Sequence, residues 1–192
     1  MPQRGEVFAE GEYYHIYNRG VDHRPIFFTP ANYVYCLQLV KRYLPQHAMA
    51  LIAYCLMPNH DHFLLRQDSD VPLSKFIGEL FNAYTQAFNK QQARNGSLFE
   101  GRFRHKRVEC DEYLIHLCRY IHLNPVQAQL VEQPEDWPYS NYADWIGLRS
   151  GVLKDQDFIQ SHFLSGEAYR QFVDDWQDAE RSHTKLHVYL LD

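Results

Sequence analysis

Apolar and polar positions alternate along this chain with two periods, and the switches between them outline the elements. Residues Glu12–Gly20 (Glu-Tyr-Tyr-His-Ile-Tyr-Asn-Arg-Gly) have the aromatic and β-branched content of a strand closed by a glycine turn. Thr29-Pro30 pairs a capping hydroxyl with proline at a first helical position, and Tyr33, Val34, Leu37, Leu39 and Val40 carry that helix to about Leu44, before Pro45. Two apolar runs, Met49–Met57 and His60–Arg66, flank Pro58-Asn59 and predict two buried strands joined by a tight turn. Asp70 is the expected cap of a second helix. Leu73, Phe76, Ile77, Leu80, Phe81, Tyr84 and Phe88 then recur at helical spacing until about Gln92. Asn95-Gly96-Ser97 is a turn signal, and Leu98–Glu109 alternates as a strand. Asp111 is expected to cap a third helix, Glu112 to about Asn124, stopped by Pro125. Short helical pieces follow at Val126–Val131 and Asn141–Leu148. Ser165 then caps an amphipathic helix from Gly166 to about Glu180, and His187–Leu191 reads as a docked strand or a loose end.

The order strand, helix, strand, strand, helix, strand predicts a ferredoxin-like α+β core, an antiparallel sheet with two helices on one face. The other face is left for a site, to which the third helix contributes. The expected division is a domain over residues 1–150 and a helical C-terminal extension over 151–192. The extension is acidic: from Val152 onward eight acidic and four basic residues give −4 of the chain's net −5. Its expected role is packing on the domain, with association or repulsion of DNA as the alternatives.

Candidate chemistry sits in two places. On a strand, residues two apart share a face, so His60 and His62 present their imidazoles together, while Asp61, Phe63 and Leu65 point the other way. Two neutral imidazoles can bind a divalent metal and leave positions open for substrate oxygen. Taken alone, a His-x-His is more often a pair of hydrogen-bonded strand residues. About sixty residues on, Tyr113, His116, Tyr120 and Asn124 form one helical stripe. A phenol is a nucleophile for phosphorus, and an amide oxygen one turn along can complete a metal shell. His15 is read as a core or hydrogen-bonded histidine that could approach the metal from a neighbouring strand.

Within Arg94–Arg107 five cations face one Glu, and alternation puts Arg102, Arg104 and Lys106 on one face, with Phe103, His105 and Arg107 on the other. Such a strip tracks phosphate, or is an exposed charged edge strand. Cys36, Cys55, Cys110 and Cys118 lack metal or redox spacing and read as reduced, buried thiols. There is no apolar run of membrane-spanning length and no secretory pattern at the start, so a cytoplasmic protein is expected.

Three separated stretches together resemble the REP-associated tyrosine transposases, domesticated relatives of the single-tyrosine HUH transposases. They are Met57-Pro58-Asn59-His60-x-His62-x-Leu64-Leu65, Leu98-Phe99-x-Gly101-Arg102-Phe103 and Arg119-Tyr120-Ile121-His122-x-Asn124-Pro125-Val126. His15-Ile16-Tyr17-Asn18-Arg19-Gly20 and Trp137-Pro138-x-Ser140-x-Tyr142 are similar to it as well, so the resemblance covers about residues 10–148. It implies cleavage of single-stranded DNA beside a hairpin, by a monomer or homodimer. Tyr120 would form a 5′-phosphotyrosine, and His60, His62 and Asn124 would hold Mg²⁺ or Mn²⁺. Asn18, Arg19, Arg102, Phe103, Arg104, Lys106 and Arg107 would contact DNA. Asp61 departs from the family pattern, which has a bulky apolar residue there, and a carboxylate beneath helices needs a partner. Two other functions remain open on these residues: a hairpin DNA- or RNA-binding regulator without covalent chemistry, and a metallohydrolase using His-x-His and a distant histidine.

Overall fold

A computed structural model describes residues 8–182, and the expected strand at His187–Leu191 lies outside them. Four strands, β1 (Tyr13–Arg19), β2 (Met49–Met57), β3 (His60–Gln67) and β4 (Arg104–Val108), form one antiparallel sheet in the order β2-β3-β1-β4. Helices α1 (Pro30–Tyr43) and α2 (Leu73–Gln91) pack together on one face, giving the ferredoxin-like arrangement.

Local chemistry explains the element ends. At the start of α1, Asn32 Oδ1 accepts from the backbone N–H groups of Phe28 (3.0 Å) and Thr29 (3.1 Å). The start of α2 differs from expectation, because the N-cap is Pro72 rather than Asp70. The Leu73 N–H is instead accepted by Gln67 Oε1 at 2.9 Å, so the end of β3 satisfies the helix that follows. The β2–β3 turn is the two residues Pro58 and Asn59, with Met57 paired to His60. Its carbonyls are held from outside: Pro58 O accepts from Ile26 and Phe27, and Asn59 O accepts from Gly20.

The strand expected over Leu98–Glu109 is shorter, beginning at Arg104. Leu98 and Phe99 are both buried in the core beneath α1 and α2, and two consecutive residues cannot enter one core while the chain alternates. The third helix also departs from expectation. α3 runs Asp111–Gln127, with Cys110 as N-cap and Pro125 inside it. Proline removes one N–H bond, here to the Ile121 carbonyl, and so near the helix end the loss is small enough to be carried. The chain turns only after the Ala128 N–H bonds to Asn124 O, with Gln129 at φ +56°, so no separate helix forms over Val126–Val131. Standing at the start of α3, Cys110 is exposed rather than buried, and the four cysteines are free.

α3 lies against the opposite face of the sheet, over β2, and the rest of the chain joins it there. The Trp137–Trp145 segment covers the free edge of β2. Leu56 N–H bonds to Tyr139 O, and the Asn141 side chain accepts from Tyr54 N–H (2.8 Å) and donates to Ile52 O (2.8 Å). Of the helix expected at Asn141–Leu148, only α4 (Tyr142–Trp145) forms. α5 (Gln156–His162), not foreseen, starts where Asp155 Oδ1 accepts from the Phe158 N–H at 2.9 Å. α6 (Gly166–Ser182) has the foreseen cap, Ser165 Oγ accepting from Ala168 N–H at 3.1 Å. Phe158, Ile159, Tyr169 and Val173 share a core with Ile52, Cys55 and α3, so the acidic extension packs on the sheet. The Arg119 guanidinium sits 4.3 Å from the Phe172 ring centre and 4.1 Å from that of Trp176, tying α3 to α6.

Asp61 is fully buried on the α1–α2 face, and neither carboxylate oxygen has a hydrogen-bond partner among the described residues. No arginine pairs with it among the described residues, and Arg107, which alternation puts on the same face, pairs with Glu12 instead. Burial pushes its pKa well above the usual carboxylate range. The unfolded chain therefore releases this proton first, and stability erodes as pH rises above about 4. Asp61→Val, similar in shape, is expected to stabilise the protein at pH 7 by about 1–3 kcal/mol and to remove that erosion. Urea unfolding at pH 5 and 8 measures both, and a less stable variant would mean that the carboxyl has an unseen partner.

Candidate active site

The open face of the sheet beside α3 carries a cleft of about 320 Å³ lined by Tyr17, Asn18, Arg19, His60, His62, Glu100, Gly101, Arg102, Arg104 and Tyr120. Register brings these residues together. His60 and His62 on β3 stand beside Arg19 and Tyr17 on β1, and Arg104 on β4 stands beside Tyr17. The His60 and His62 rings are 5.0 Å apart between centres and nearly perpendicular.

Both imidazoles are oriented through Nδ1. His60 Nδ1 lies 2.7 Å from Asn59 Oδ1, and the Asn59 amide is oriented by donation from Nδ2 to His23 O at 3.3 Å. An amide oxygen only accepts, so His60 carries its proton on Nδ1 and Nε2 keeps a lone pair. His62 Nδ1 is 3.0 Å from Nε2 of His15, whose ring is fully buried. All three rings are neutral at physiological pH. Burial, with Arg19 nearby, lowers the His60 pKa to about 4, against a smaller opposing effect of Asn124. Burial and Lys106 lower that of His15 to about 3. Burial, followed by the neighbouring His15, His60 and Arg19, holds His62 well below the usual range.

Tyr120 extends from α3 so that its ring centre is 5.6 Å from that of His62, edge to face. Burial raises its phenol pKa first, while Asn124 and Arg19 pull it down. One turn on, Asn124 donates from Nδ2 to the Tyr120 carbonyl at 2.8 Å, and its side chain acts on both His60 and His62, although it is not among the residues that line the cleft. No group of three His, Cys, Asp or Glu among the described residues has the geometry to hold a metal. The donors that His60, His62 and Asn124 could offer are two imidazole nitrogens and one amide oxygen. By its chemistry that set fits a divalent cation with further positions left open for oxygen ligands.

The expected DNA-contacting residues divide. Arg19, Arg102 and Arg104 line the cleft, as does Asn18, whose Oδ1 folds back to accept from Arg19 N–H at 3.0 Å. Lys106 is on the same face but outside the cleft, over the Tyr113 ring at 5.0 Å. Phe103 packs against the α1–α2 core, and Arg107 on the other face pairs with Glu12 at 2.5 Å. His116 is held by Arg119 (2.7 Å) away from the cleft. Tyr17 and Glu100 were not singled out from sequence. Tyr17 stands two residues from His15 on one strand, and that spacing was the available signal.

The family model described as "Transposase IS200 like" matches residues 9–124. A Haemophilus influenzae protein named as a REP-associated tyrosine transposase is 29% identical over 101 residues, 47% of this chain and 57% of that protein, so the match spans little more than half of its length. A solved REP-associated tyrosine transposase bound to a REP hairpin superposes with a TM-score of 0.67 at 19% identity, over 81% of this chain and 94% of that one. At that identity the likeness is one of fold.

Four neutral imidazoles, the buried His15, His62 and His122 and the half-buried His60, must gain protons when the metal-free protein unfolds in acid. Stability is therefore expected to fall as pH drops from about 6.5 toward 4, with Asp61 opposing, a slope of roughly three protons. Urea midpoints across that range give the slope. A flat profile would mean that these rings are hydrated.

Proposed function

The chain belongs to the IS200-like transposase family, and from that premise we propose that it cuts and rejoins single-stranded DNA beside a hairpin through a phosphotyrosine. The carrying observation is the Tyr120 phenol lying in one cation-lined cleft with His60 and His62.

Tyr120 Oη attacks the scissile phosphorus in line. The Oη–P bond forms, the P–O3′ bond breaks, and the departing oxygen takes a proton to become a free 3′-hydroxyl. The 5′ side is left on Tyr120, and attack by a 3′-hydroxyl reverses the step. Phosphodiester energy is kept in the link, so no nucleotide cofactor is required. His60, His62 and Asn124 would hold Mg²⁺ or Mn²⁺, which supplies Lewis-acid stabilisation of the charge developing on phosphate. Arg19, Arg102 and Arg104 bind the DNA backbone and stabilise the same charge. Because burial raises the phenol's pKa, its proton must be taken during attack, and cleavage should quicken as pH rises from 6 to 9.

The nucleophile and both imidazoles come from one chain, which supports a reaction completed within a single protomer. Labelled hairpin DNA with Mn²⁺ should give an adduct that survives denaturation. Tyr120→Phe abolishes it, and His60→Ala slows it by about 10²–10³-fold. Mixing Tyr120→Phe with His62→Ala should restore nothing, and restored adduct would instead mean exchange of α3 between subunits. Hairpin binding without adduct would favour the regulator reading. Cleavage undiminished in Tyr120→Phe would favour hydrolysis by activated water.

A further inference from the structure

His15 has no part in the chemistry above, yet it is fully buried and touches it. Its Nε2 is 3.0 Å from His62 Nδ1, the rings stack with centres 5.2 Å apart, and its Nδ1 has no partner among the described residues. The contact is built by register, since β1 places His15 two residues before Tyr17, which pairs with His62. A buried imidazole with an orphaned nitrogen is costly in a core that an apolar side chain could fill, so its one hydrogen bond needs an explanation.

Two proton arrangements satisfy that bond. If His15 donates, the His62 proton lies on Nε2 and blocks the nitrogen facing the cleft. If His62 donates from Nδ1, its Nε2 lone pair is free and His15 acts as acceptor. His60 is already in the second state, because Asn59 Oδ1 can only accept.

We propose that His15 is a positioning residue that accepts from His62 Nδ1–H, and so does for His62 what Asn59 does for His60. The inference rests on the metal-binding part of the reading above. The two oriented imidazoles then present matching lone pairs, one set by an amide on the turn and the other by a histidine on the neighbouring strand. Ligand histidines held through their second nitrogen bind more tightly because ring orientation and tautomer are set before the ion arrives.

Wild type, His15→Leu and His15→Gln are titrated with Mn²⁺ by electron paramagnetic resonance, with melting temperatures measured alongside. Gln places an amide oxygen where Nε2 stands, whereas Leu keeps the volume and removes the acceptor. His15→Leu should weaken Mn²⁺ binding by about 10–100-fold, with His15→Gln within about threefold of wild type. Equal affinity in wild type and His15→Leu, or equal loss in both variants, overturns the proposal. Should His15→Leu fail to fold, long-range ¹H–¹⁵N spectra of the Mg²⁺-saturated wild type decide. A proton on His62 Nδ1 and none on His15 Nε2 is expected, and the reverse overturns it. Wild type that binds no Mn²⁺ would remove the metal reading and this inference with it, whereas Mn²⁺ held equally well without the acceptor removes only the inference.

Discussion

The alternation of β3 is the constraint on which the rest of the structure depends. His60, His62 and Leu64 must face one side of the sheet, and Asp61, Phe63 and Leu65 the other. A slip of one residue would put both imidazoles into the α1–α2 core and the aromatic ring of Phe63 into the cleft. The two-residue turn prevents that slip. Pro58 and Asn59 hold Met57 opposite His60, and backbone bonds from Gly20, Ile26 and Phe27 fasten the turn to the segment after β1.

Once the register is set, burial does the electrostatic work. The cleft combines three arginines with imidazoles that are kept from protonating, mainly by desolvation and further by neighbouring rings and Arg19. Positive charge in the cleft therefore comes from side chains that are always charged, and free lone pairs come from side chains that stay neutral. The same face is only half covered. α3 and the extension fill it over β2, and where α3 ends its cover, Tyr120 and Asn124 meet β3. The Arg119 contact with Phe172 and Trp176 and the His122 bonds to Tyr169 (2.6 Å) and Asn141 (2.9 Å) keep α3 at that position. The acidic extension thus serves the site through packing.

Much of this is legible in the chain itself. The strands, α1, α2 and the stripe carrying Tyr120 and Asn124 follow from period, because each buries one continuous face and short-range spacing reports it. The errors lie where a tertiary contact outweighs a local signal. Gln67 supersedes Asp70 as the partner at the start of α2, Leu98 and Phe99 leave the strand pattern for the core, and α3 passes through Pro125. α5 was missed because a helix of seven residues has too few turns to display a period.

What the sequence by itself determined is the identity and face of each reactive group: His60 beside His62, Tyr120 one turn from Asn124, arginines clustered before α3. These follow from backbone periods that hold wherever an element sits. Only the tertiary structure decided that the phenol and the imidazoles share a cleft within one chain, that His15 reaches His62, that Phe103 and Arg107 do not line it, and that Asp61 is buried without a described partner. Distance and solvent access between residues far apart in the chain depend on how strands pair and helices pack, and no local pattern carries that information.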